Sequence, residues 1–91
     1  MEDEALTEIK LWVAPEQVPY IRTKPIHASQ KGPTLTAEGW ILTIHVIPNY
    51  ELTKLLLSFG DSIKIISPAS YQSKMINILK NALQKYENGD I

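Results

Sequence analysis

From Gly39 to Pro68, GWILTIHVIPNYELTKLLLSFGDSIKIISP, the hydrophobic period changes twice within thirty residues. Trp40 to Ile47 alternates like a strand rich in β-branched residues. Leu52, Leu55, Leu56 and Phe59 then recur at i, i+3, i+4 and i+7, one stripe of a helix, and Ser62 to Ile66 returns to alternation. Pro48 ends the first of these strands, Asn49 can cap the helix with Glu51 in its first turn, and Gly60 closes it as a left-handed cap. The segment predicts a strand–helix–strand unit.

Upstream, LTEIKLWV from Leu6 to Val13 alternates, with Ile9, Leu11 and Val13 on one face and Glu8, Lys10 and Trp12 on the other. Ala14-Pro15-Glu16-Gln17 starts a helix, and Pro19 makes that helix short or kinked, or moves its beginning to Pro19 itself. Pro25 to Gln30, PIHASQ, predicts a short extended segment. Lys31-Gly32-Pro33 and Thr34 to Glu38 then read as a polar loop, the long tip of a hairpin. At the other end, Ser67-Pro68 supplies a cap and a first helical residue for a last helix running to about Tyr86. Ile76, Leu79, Leu83 and Tyr86 form one face of it, Met75, Ile78 and Ala82 lie beside them, and Asn88-Gly89 ends it.

The order strand, helix, strand, strand, helix, strand, then a further helix, predicts an α+β chain. It is a ferredoxin-like βαββαβ domain with a four-stranded antiparallel sheet, its first and third strands central, and an additional C-terminal helix. Residues 6–87 make the domain, between a disordered acidic lead-in at 1–5 and a tail at 88–91. Right-handed crossovers put both helices on one side, where Ile9, Leu11 and Val13 meet Leu42, Ile44 and Val46. The other sheet face then presents Lys10 and Trp12, Ile41, Thr43, His45 and Ile47, and Lys64 and Ile66. That surface is too apolar for plain solvent and is expected to meet a partner, a second subunit in a homo-oligomer, or the C-terminal helix.

Charge narrows the functional classes. The net charge is −1, yet Glu2, Asp3, Glu4, Glu8 and Glu16 crowd the first nineteen residues while Arg22, Lys24 and Lys31 follow with no acid among them. This makes a basic corner, not a cationic face of the kind that binds nucleic acid unaided. There is no cysteine, so a disulfide scaffold and thiolate metal sites are excluded. LLLSFG after Lys54 is far short of the ~20 residues of a membrane span, and MEDEALTE lacks the pattern of a secretion signal, which makes the cytoplasm the expected compartment.

Candidate chemistry is sparse. His27 and His45 fall on different predicted strands with no third ligand near, so no metal is expected. His27 and Ser29 share one side of a short strand, but no acid is positioned to orient the base, and no catalytic group is assigned. Trp12 and Trp40 fall on opposite predicted faces, which suits packing better than base stacking. Arg22, Lys24, His27, Ser29, Gln30 and Lys31 remain the candidate contact for an effector or phosphate, made jointly with another domain or subunit. One alternative is a sensor of the ACT type, in which paired ferredoxin-like domains bind a metabolite at their interface with Ser29 and Gln30 as polar anchors.

PIHASQ, the GW that opens the alternating strand, ELTKLLLSFGDSIKIISPASYQSKMINILKNAL and Tyr86 together resemble the C-terminal extension, or WCX domain, of WYL-domain transcriptional regulators of bacteria. The resemblance runs from about Leu6 to Tyr86. Its most telling pieces are His27-Ala28-Ser29-Gln30, Leu55 to Gly60, and Ile65-Ile66-Ser67-Pro68. It implies a regulatory module without enzymatic activity or cofactor. In such regulators a helix-turn-helix domain binds promoter DNA, a WYL domain senses an effector such as a nucleic acid or nucleotide, and the extension packs on the WYL domain or across the dimer.

Overall fold

A computed structural model describes residues 5–88. Residues 1–4 of the lead-in and 89–91 of the tail, Gly89 included, lie outside them. β1 (Thr7–Val13) and β3 (Gly39–Val46) pair antiparallel from Thr7 opposite Val46 to Val13 opposite Trp40, which sets Ile9 against Ile44 and Leu11 against Leu42. β2 (Lys31–Thr36) joins the outer side of β3, and β4 (Ile63–Ser67) joins the outer side of β1. The resulting order β2-β3-β1-β4 puts the first and third strands at the centre, the ferredoxin-like arrangement. Ile9, Leu11, Val13, Leu42, Ile44 and Val46 are buried in one cluster, as the alternation predicts.

The first hairpin differs from the expectation. PIHASQ is a series of bends and turns rather than an extended segment, and Lys31-Gly32-Pro33, expected in a loop, is the start of β2. The tip is only Ala37-Glu38. Gly-Pro reads as a turn, but on an edge strand a proline needs no ladder partner for its nitrogen, and a bulge between Lys31 and Thr34 accommodates the pair. Gly32 has φ +94°, and a Cβ there would lie 2.8 Å from the carbonyl oxygen of Ile41. Gly39, at φ +110°, closes the two-residue tip opposite Thr36, and the Trp12 indole lies over it, where a Cβ would come within 2.8 Å of its nitrogen.

The helices follow their local chemistry. Pro15–Gln17 forms a 3₁₀ turn that leads into α1 (Val18–Thr23), with Pro19 in the first turn, where its missing N–H costs nothing. Asn49 caps α2 (Tyr50–Leu57), its Oδ1 accepting from the Leu52 amide at 2.8 Å. Ser58 is the C-terminal cap, while Gly60, at φ +62°, opens a 3₁₀ turn that leads to β4. Leu52 and Leu56 reach the core, Phe59 packs against it, and Leu55 is turned largely outward.

α3 (Ala69–Glu87) begins one residue later than expected, with Pro68 as the cap. It packs beside α2 and β4, not over the open sheet face. Thr53 and Tyr71 share a buried hydroxyl–hydroxyl hydrogen bond of 2.9 Å, and the Gln72 side-chain amide donates to the carbonyl of Ile65 at 2.8 Å. The side chains that meet the core are Tyr71 and Met75, whereas Ile76, Leu79, Leu83 and Tyr86 are exposed.

Burial pushes the Tyr71 phenol above its ordinary pKa, against a smaller opposite pull from the Thr53 hydrogen bond. The folded state therefore holds the proton to higher pH than the unfolded chain, which releases it near pH 10. The associated stability is complete below about pH 10 and is lost as pH rises through the folded pKa. Denaturant midpoints followed from pH 8 to about pH 11 are expected to fall more for the wild type than for Tyr71→Phe. Parallel curves would remove Tyr71 as the source.

Candidate functional site

The pairing of β2 with β3 starts at Lys31 opposite Thr43, so the next outward-facing backbone groups of β3, those of His45, have no strand residue beside them. Ser29 takes that place with its side chain. Its Oγ accepts from the His45 amide at 2.8 Å and donates to the His45 carbonyl at 3.1 Å. A hydroxyl, both donor and acceptor, can satisfy the two groups a missing strand residue leaves. Gln30 does a similar task at the end of α1. Its Oε1 accepts from the Ile26 amide at 2.8 Å, and its Nε2 faces the carbonyls of Ile21 at 3.4 Å and Gly32 at 3.3 Å.

His27 lies in the turn, not on a strand. Its Nδ1 accepts from the Ser29 amide at 3.0 Å and lies 2.8 Å from Ser29 Oγ, which assigns the ring proton to Nε2. The histidine and serine are thus together, but the hydroxyl is occupied by β3. The carboxylate near a histidine is elsewhere, Glu8 at 4.0 Å from His45 Nε2. Arg22 is also engaged. It donates to the Pro33 carbonyl at 3.2 Å, and its guanidinium lies 5.3 Å from the centre of the Trp40 ring. Lys24 and Lys31 are exposed. The six residues form one corner, but four of them hold backbone or one another.

The second set of residues divides differently. Lys10, Trp12, Ile41, Thr43, His45, Lys64 and Ile66 share the sheet face away from the helices, with Trp12 paired to Ile41 and Lys64 Nζ 5.9 Å from the centre of the Trp12 ring, but Ile41, expected at the contact surface, is buried there by its neighbours. Trp40 is on the core side, so the two tryptophans are separated by the sheet. Ile47 stands just beyond the end of β3. There it joins a groove with Leu6, Ile26, Leu55, His27 and His45, so both histidines line one depression. Alternation within strands does not reveal this groove. The available signal is that pairing Thr7 with Val46 brings Leu6 and Ile47, both apolar, just past the ends of adjacent strands. No group of three or more histidine, cysteine or acidic side chains suited to a metal occurs among the described residues.

Ser29→Ala removes both partners of a partly buried amide and carbonyl. It is expected to cost about 1–3 kcal/mol of stability in denaturant titrations and to speed amide exchange at His45. Exchange at His45 that stays as slow as in the wild type would remove Ser29 from this role.

Against known proteins, no curated sequence matches this chain. The family model of the WCX domain matches residues 5–83, which span all four strands, α1, α2 and most of α3. With the turn from His27 to Gln30 and the strand-to-helix passage from Ile65 to Pro68 inside that match, the chain belongs to the WCX domain family.

Proposed function

We propose that this domain is the C-terminal regulatory and dimerisation domain of a WYL-type bacterial transcriptional regulator. It acts in the cytoplasm without catalysis of its own, in contact with the WYL and helix-turn-helix domains or a second subunit. Membership of the WCX family supports the regulatory part of the reading. The observation that carries the contact part is the outer sheet face. The buried side chains of all three helices belong to the core on the other side, which leaves Trp12 and Ile66 half-exposed beside Lys10, His45 and Lys64. An aromatic flanked by aliphatic and basic groups is the composition of an interface centre with a polar rim. Among the described residues no helix is long and apolar enough to cross a membrane.

Help with effector binding is the finer part of the proposal. Lys24 and Lys31, exposed on the corner that Arg22 braces, supply cations for an anionic effector such as a nucleotide or nucleic acid held jointly with another domain. No observation favours the metabolite-sensor alternative, because the polar atoms of Ser29 and Gln30 it needs as anchors already bond to the chain.

In the full-length regulator, Trp12→Ala combined with His45→Ala is expected to weaken assembly about tenfold or more, read by light scattering over a dilution series. Unchanged assembly would exclude the outer sheet face as the contact surface.

A further inference from the structure

The apolar stripe of α3 runs the whole helix, but the domain covers only its first half. Tyr71 and Met75 meet the core, and from Asn81 to Asn88 every residue is exposed. Four large side chains on the same stripe are left in water: Ile76 is 47 % exposed, Leu79 51 %, Leu83 55 % and Tyr86 86 %. Beside them is an apolar groove of about 280 Å³ between α2 and α3, walled by Leu56, Leu57, Ile63, Ile65, Met75 and Leu79. A projecting apolar helix and an empty apolar groove thus occur side by side, and Ile76 and Leu79 belong to both.

We infer that the second half of α3 is a self-association surface, on which two copies of this chain pair about a twofold axis near Leu79. In such a pair each projecting Leu83 and Tyr86 enters the groove between α2 and α3 of the other copy. Twofold contacts are isologous, so a single surface must carry both the protruding and the receiving part. Here the two adjoin on one helix. The area is also sufficient. The four exposed side chains offer on the order of 500 Å² per copy, and a pair covering them reaches the ~1,000 Å² that marks a specific interface before the groove walls are counted. At 100° per residue Lys74 and Lys85 fall on the side of α3 away from the stripe, while Lys80 and Glu87, of opposite charge, flank it and form the charged rim of the surface. This surface is separate from the outer sheet face, and the inference does not depend on the regulatory reading.

The test uses the 91-residue chain by itself. Sedimentation equilibrium is expected to show a concentration-dependent dimer, and Leu83→Glu is expected to raise the dissociation constant at least tenfold without loss of the thermal transition. Tyr86→Ser, which introduces no charge, is expected to weaken the dimer in the same direction. A wild-type monomer at about 100 μM would overturn the inference and leave the helix to another domain or protein. A dimer indifferent to both substitutions but lost with Trp12→Ala and His45→Ala would overturn it too, and assign assembly to the sheet face.

Discussion

The pairing of β1 with β3, buried on one side only, is the constraint from which the other contacts take their places. Ile9 against Ile44 and Leu11 against Leu42 set a register that cannot slip by one residue without turning the whole apolar set outward. With that register fixed, Val18 and Ile21 of α1, Leu52 and Leu56 of α2 and Tyr71 of α3 have one surface on which to bury. The same pairing decides what is left over. Every alternate residue of the two central strands, Trp12 and His45 among them, must look away from the helices.

Most of this framework is legible in the amino-acid sequence because period is a local property and the two periods here are clean. The alternation of Trp40 to Val46, the leucine stripe of α2 and the Asn49 cap each depend on residues within a few positions of one another. Two features are not local. Lys31-Gly32-Pro33 has the composition of a turn, and only the neighbouring Ile41 and Thr43 show that the edge of the sheet accepts it as a bulged strand. In α3 the spacing of Ile76, Leu79, Leu83 and Tyr86 marks an apolar stripe correctly, but periodicity carries no information on how far along a helix its neighbours extend.

The polar corner has a related lesson. His27, Ser29 and Gln30 have the chemistry of a site, and the residue types by themselves do not distinguish a hydroxyl that awaits a ligand from one already bonded to the main chain. The deciding fact is the shortfall of β2, which stops pairing at Lys31 and leaves the His45 amide and carbonyl to Ser29. The piece HASQ is therefore a fastening between a turn, the end of α1 and the central strand. Of the exposed basic side chains next to it, Arg22 is tied to the Pro33 carbonyl and held over Trp40, whereas Lys24 and Lys31 project from the surface.

The way α3 is fastened has a mechanical consequence. Its polar ties to the domain, Tyr71 to Thr53 and Gln72 to Ile65, both fall in the first turn, whereas the helix continues to Glu87, about 22 Å further on at 1.5 Å per residue. A continuous helix on a fulcrum at one end is a lever. A tilt of about 10° at the Thr53 hydroxyl carries the far end through about 4 Å, enough to move one side chain past another on whatever surface it touches. The polar joints at Tyr71 and Gln72, with the packing of Met75 on the core, thus set the aim of the longest element in the domain.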